Sequence, residues 1–171
     1  MKIQVGGLSE GLHSYDFTVT PVELGIPQEF DAPIAVEATL EKTTGELLLR
    51  ARIVARATWE CDRCVTPFTK SIEGRYQMYY VWDGTDTGRF DPAELQTIPP
   101  GSNTIDISDD VRQTLLLSVP LKRVCREECK GLCPQCGKNL NEGPCGCTGL
   151  EPDSRWDKLK ELQNNAKHDV R

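Results

Sequence analysis

The chain has 171 residues, 38% of them hydrophobic and 27% charged, with a formal net charge of −6 and a pI near 5.0. That length suits one domain with at most a small appendage. No apolar run approaches the roughly 20 residues that span a bilayer, and the acidic total argues against a general nucleic-acid binder that works by overall charge.

From Met1 to about Pro33 the pattern is weak, apart from a strand expected over Ser14–Thr20 and ended by Pro21. Ile34, Val36, Ala38 and Leu40 then alternate with Ala35, Glu37, Thr39 and Glu41, the period of a half-buried strand. Thr43-Thr44-Gly45-Glu46 supplies a turn. Beyond it Leu47, Leu49, Ala51, Ile53, Ala55, Ala57 and Trp59 share one face, while Arg50, Arg52 and Arg56 share the other, so a long hairpin with an arginine-rich outer face is expected. A third strand follows over Phe68–Trp82, with Gly74 expected at a bulge. Asp83 to Asn103 reads as a long acidic loop, and Ile105 and Ile107 as a short strand. Ser108 is placed to cap a helix over about Asp109–Val119, which Pro120 ends. Glu151 to about Ala166 reads as a short helix in which Trp156, Leu159 and Leu162 form a narrow stripe.

Charge is distributed unevenly. Residues 1–49 carry 2 Lys or Arg against 8 Asp or Glu, and residues 83–110 carry 1 against 7. Residues 50–76 reverse the balance with 6 against 3, and residues 122–138 with 5 against 2. These two basic stretches contain most of the cysteines. Arg50, Arg52, Arg56, Arg63, Lys122, Arg123, Arg126 and Lys130 are the candidates for contact with RNA phosphates or a partner, although surface charges are commonly no more than a solvated face.

The eight cysteines are Cys61 and Cys64, then Cys125, Cys129, Cys133, Cys136, Cys145 and Cys147. Short spacings with glycine and proline between them let neighbouring sulfurs aim at one ion, and eight thiolates fill two closed tetrahedral zinc sites with none left over. A disulfide framework needs an oxidising compartment, and Met-Lys-Ile-Gln-Val-Gly-Gly at the start has no apolar run of signal-peptide length, so a cytoplasmic chain is expected. Redox chemistry at Cys61-Asp62-Arg63-Cys64 fits poorly with Pro67 three residues on, where a helix should begin. An iron–sulfur cluster uses the same four thiolates and stays open beside zinc. Cys133, Cys136, Cys145 and Cys147 span few enough residues to form one local site, which leaves Cys61 and Cys64 to join Cys125 and Cys129. Other pairings, such as Cys61 and Cys64 with Cys133 and Cys136, remain open.

The fold expected is α+β: an antiparallel, barrel-like β-sheet meander with one packed helix over residues 1–124, a cysteine-rich zinc-knuckle segment over 125–150 packed on it, and a short helix and tail over 151–171. An enzyme is not expected. The two histidines, His13 and His168, lie near the ends, no phosphate-binding glycine loop is present, and a closed four-thiolate site leaves no open coordination position.

The hairpin leading into C-x-R-C-x-x-P-F from Cys61 to Phe68, I-D-I before a helix, L-x-x-P, and C-K-G-L-C-P-x-C-G-x-N-L-N from Cys129 to Asn141 followed by C-x-C resemble the YceD family of large ribosomal RNA subunit accumulation proteins. The resemblance spans about Ser14 to Cys147. It implies a non-enzymatic role in accumulation or processing of large-subunit (23S) ribosomal RNA and in ribosome assembly. Two structural Zn2+ ions would accompany it, with large-subunit ribosomal RNA or a large-subunit ribosomal protein as partner, and with neither a small-molecule substrate nor a membrane. The alternative is a zinc-stabilised adaptor that binds a ribosomal protein through the acidic segments without touching RNA.

Overall fold

The structure, a computed structural model, describes residues 1–148 and Arg155. The C-terminal helix expected around Trp156, Leu159 and Leu162 lies outside the described residues. The described residues fall into two compact units: Met1–Cys61 with Thr66–Cys125, and Asp62–Val65 with the described chain after Cys125.

The first unit is built on β2 (Gly11–Val19), β3 (Ile34–Lys42), β4 (Glu46–Glu60), β5 (Pro67–Trp82) and β6 (Leu95–Ile98), in the spatial order of the chain. The first four strands run antiparallel as a meander, and β6 joins parallel to β5. The sheet is open, with β2 and β6 as its edges, so the barrel-like closure expected from the meander is not found. Strands β1 (Lys2–Gln4) and β7 (Thr104–Asp106) form a separate antiparallel pair, and α1 runs Ser108–Leu117. The α+β class stands.

The alternation read from the hairpin decides the core. Ile34, Val36, Leu40, Leu47, Leu49, Ile53 and Ala57 are buried, and the same cluster takes in Ile3, Ile105, Val111 and Leu115 from β1, β7 and α1, with Val5 and Ile107 beside them. Each fully buried aliphatic side chain contributes about 1.5–3 kcal/mol, so the period-two pattern over Ile34–Leu40 and Leu47–Trp59 suffices to fix which face turns inward.

Three differences from expectation have local causes. Gly74 is not at a bulge, because β4 and β5 keep one register from Glu46↔Val81 to Glu60↔Pro67 without interruption. It lies under the helix instead. A Cβ at Gly74 would come 2.8 Å from Ser118 Oγ and 2.9 Å from Thr114 Cγ2, so glycine is what lets α1 approach β5. The stretch read as an irregular loop holds a 3₁₀ turn at Pro92–Glu94 and then β6, whose four residues between proline-rich flanks are too few to show a period. Finally, the helix begins at Ser108, not after it, and its N-terminal flank Ile107 makes no side-chain cap.

In the second unit the chain is tied by short backbone links. Leu132 N–H donates to the Arg63 carbonyl at 3.0 Å, and Leu140 N–H to the Gly131 carbonyl at 2.9 Å. Gly131 has φ 75°, and a Cβ there would sit 3.0 Å from the Arg63 carbonyl oxygen, so both conformation and space select glycine. Among the described residues no helix is long and apolar enough to cross a membrane.

Candidate metal centres and basic surface

Both Cys-x-x-Cys turns have the same backbone. In one, Cys61 N–H donates to the Thr66 carbonyl at 3.1 Å; in the other, Cys133 N–H donates to the Lys138 carbonyl at 2.8 Å, five residues on in each case. The residue after the second cysteine is left-handed in both, with φ 58° at Val65 and 72° at Gly137. Such a turn places two sulfurs on the same side of the chain.

The sulfurs gather into two groups of four, Cys61, Cys64, Cys125 and Cys129, and Cys133, Cys136, Cys145 and Cys147, with all sulfurs of a group within 4.8 Å of one another. This is the pairing favoured from the spacing. A tetrahedron with metal–sulfur bonds of roughly 2.3 Å has edges of roughly 3.8 Å, so both groups are within a small adjustment of the size that zinc requires. Eight cysteines are unbridged by disulfides, and each group offers four soft donors with no carboxylate or imidazole among them.

Hydrogen bonds to sulfur stabilise the thiolate form that a metal needs. Cys125 N–H donates to Cys61 Sγ at 3.4 Å, and Asn141 Nδ2 donates to Cys129 Sγ at 3.3 Å. Asn141 is itself fixed, since its Oδ1 accepts from Lys130 N–H at 2.9 Å and its amide donates to Asn139 Oδ1 at 2.8 Å. Its supporting role was not read from the sequence, where the N-L-N run served only to carry the resemblance. In the local group, N–H donors of Cys136 and Gln135 bring the Cys133 thiol down to about 6, while hydrogen bonding to Cys136 and desolvation push Cys147 up to about 12. The Cys133 thiol therefore gives up its proton readily while Cys147 holds its own.

The two groups differ in exposure. Cys61, Cys64 and Cys129 are buried, whereas in the local group Cys136 is exposed and only Cys133 is buried.

The candidate basic residues are placed less simply. Arg50 pairs with Glu41 at 3.3 Å, Arg52 with Glu37 at 3.3 Å and Glu73 at 2.8 Å, and Arg56 with Asp31 at 3.5 Å. Hydrogen bonds from Arg52 and then Arg75 hold the Glu73 carboxyl down at about 2, and the same contact with Glu73 raises Arg52 above its ordinary value. The arginine face of the hairpin is therefore interleaved with carboxylates. Glu37, Arg50 and Arg52 line an open groove of about 630 Å3 on the outer face of the sheet, with Arg75, Gln77 and Glu94. Arg63 Nη1 donates to the carbonyls of Glu127 at 3.0 Å and Cys129 at 2.9 Å, so its guanidinium organises the cysteine-bearing stretch. Arg123 stacks over the Trp59 ring at 5.3 Å. His13 Nε2 lies 2.9 Å from the Ser9 carbonyl on an exposed strand.

Fold and site together define a small α+β protein carrying two four-cysteine centres. The family whose description is "Large ribosomal RNA subunit accumulation protein YceD" matches residues 49–163, and the chain belongs to that family. It is 28% identical over 156 residues to an uncharacterized protein of Mycobacterium tuberculosis, covering 86% of this chain and 72% of the relative. A Mycobacterium leprae protein is 26% identical over 140 residues, covering 78% and 61%. The "Large ribosomal RNA subunit accumulation protein YCED homolog 1, chloroplastic" of Arabidopsis thaliana is 37% identical over 65 residues, covering 38% of this chain and 20% of the relative. No solved structure matches the chain.

Proposed function

We propose that this protein is a non-enzymatic cytoplasmic factor for the accumulation of large-subunit 23S ribosomal RNA, built around two structural zinc ions. The observation that carries the reading is family membership over residues 49–163. The zinc assignment is supported by the two four-sulfur groups, and all eight cysteines serve as ligands. Four thiolates close each ion, so it contributes folding energy and leaves no position for a substrate. Loss of the protein should lower 23S ribosomal RNA relative to 16S, and restoration of the chain should reverse it. Unaltered ribosomal RNA after depletion would overturn the reading.

Partner contact has two routes. In the first, Arg50, Arg52, Arg56, Arg63, Lys122, Arg123, Arg126 and Lys130 meet RNA phosphates, and binding weakens as salt rises. In the second, the chain is an adaptor whose acidic surface meets a basic ribosomal protein. Carboxylates on Arg50, Arg52 and Arg56 favour the second. So does metal charge, since each zinc with four thiolates carries about two net negative charges and makes an acidic chain more so. Pull-downs with and without nuclease separate the routes: the adaptor retains its ribosomal protein after RNA is digested.

A further inference from the structure

Among the described residues, strand β2 is an edge of the five-stranded sheet with no strand on its outer side. Nine residues pair with β3 in one unbroken register, Gly11↔Lys42 to Val19↔Ile34, and neither a proline, a lysine nor a bulge interrupts them. Natural edges this long usually carry one of those devices, because a row of open N–H and C=O groups recruits other strands. On the opposite side β6 covers only Tyr79–Trp82 of β5 and runs into Pro99 and Pro100, and the uncovered part of β5 carries Pro67 and Lys70, two of those devices.

The side chains of β2 say what would pair with it. On the outer face Asp16 stands directly across from Glu37, and like charges directly opposite are destabilising. Glu37 has Arg52, whereas among the described residues the Asp16 carboxylate has neither a side-chain hydrogen bond nor an ion pair. On the inner face Tyr15, Phe17 and Val19 pack against the core but stay half-buried, with the Tyr15 and Phe17 rings stacked at 6.4 Å. Each half of the strand is thus incomplete in a different way: a carboxylate without a cation on one face, and apolar surface still open on the other.

We propose that the free edge of β2 accepts an extended basic segment of a partner protein as an added antiparallel strand, with alternating cationic and apolar residues. Cations lie opposite Asp16, apolar residues cover Tyr15 and Phe17, and main-chain bonds complete the edge. A second copy of this chain fits less well. Same-face pairing of β2 with another β2 would set Asp16 against Leu12, Ser14, Asp16 or Thr18, none of which is a cation. The segment-wide charge agrees, since residues 1–49 carry 8 acidic side chains and 2 basic ones. The inference rests on the adaptor route above and names its docking surface.

The test uses the full zinc-loaded chain and a fluorescent nine-residue peptide alternating Lys and Val, with a Glu-Val peptide as control. Anisotropy should show binding to the Lys-Val peptide alone, weakened by salt and by roughly tenfold or more in Asp16→Lys, the equivalent of about 1.4 kcal/mol. Amide hydrogen exchange should slow along β2 on binding. No binding, equal binding by Asp16→Lys, or protection at residues 83–110 in place of β2 would overturn the proposal. Protection of β2 that rises with protein concentration alone would replace the basic segment by a second copy. The assay contains no ribosomal RNA. Failed docking with an intact effect of depletion on 23S RNA removes only this inference, and docking without that effect removes only the ribosomal reading.

Discussion

Val65 and Gly137 occupy the same place in two equivalent cysteine turns, with φ 58° at the valine and 72° at the glycine. A β-branched residue in the left-handed region is strained by about 1–2 kcal/mol, and Val65 is 54% exposed, so little packing compensates. Glycine at position 65 removes the strain but has more conformational freedom to lose on folding, about 0.5–1 kcal/mol. Val65→Gly should therefore stabilise the zinc-loaded protein by up to about 1 kcal/mol, read as a raised midpoint in denaturant. A lowered midpoint would mean that the valine side chain makes a contact worth more than its backbone strain.

The two sulfur groups should be separable by mutation. Cys61→Ser with Cys64→Ser removes half the ligands of one group and should reduce bound zinc from two equivalents to one, whereas Cys133→Ser with Cys136→Ser should do the same at the other. The free energy of structural zinc binding is on the order of 10 kcal/mol, a large share of what holds a domain this size together. The first pair of changes should be the more damaging, because Cys61 and Cys64 are buried and Cys136 is exposed. Metal analysis beside thermal unfolding checks both, and an unaltered zinc content in either variant contradicts its group.

Close approach of α1 to β5 rests on one missing methyl. Gly74→Ala would place a Cβ within 3 Å of both Thr114 and Ser118, and overpacking of this kind costs about 1–3 kcal/mol. Ser118 Oγ also donates to the Thr114 carbonyl at 2.7 Å, so it cannot swing aside without losing that bond. Thr114→Ser, which removes the encroaching methyl, should recover part of the loss in the double variant. Equal stability of Gly74→Ala and the parent would show that the helix shifts freely.

How much of this could be read from the chain depends on whether the deciding interaction is local. The hairpin is legible because burial repeats every second residue over Ile34–Leu40 and again over Leu47–Trp59, whereas the spacing favours the four-plus-four division of cysteines without excluding other pairings, which the folded chain decides. Strand β1 was not legible. Its three residues have no period of their own and exist as a strand only because β7 pairs with them a hundred residues later. The role of Gly74 was misread for a related reason, since a bulge and a helix contact leave the same mark in sequence and only the tertiary packing distinguishes them. The arginine face was visible as a row of charges. Its partners Glu37, Glu41 and Asp31 come from other segments, so its partial neutralisation was hidden.

That neutralisation makes a pH-dependent prediction. Arg52 Nη2 meets Glu73 Oε2 at 2.8 Å and Arg75 Nε meets Oε1 at 2.7 Å, which lowers the Glu73 carboxyl from its ordinary 4.5 to about 2. Because the folded value is the lower one, the folded state holds its proton less tightly than the unfolded chain does. The stabilisation is then complete above pH 4.5 and is lost as pH falls from there toward 2. Glu73→Gln abolishes the titration, so the gap in melting temperature between parent and variant should be widest near neutrality and close across that window. Acid also releases metal from thiolates, but from both proteins alike, so the difference between them isolates the carboxylate. High salt should narrow the gap at neutral pH, as it does for exposed pairs. A gap of constant size from neutral pH to pH 2 would show that Glu73 contributes through its shape on the sheet and not through its charge.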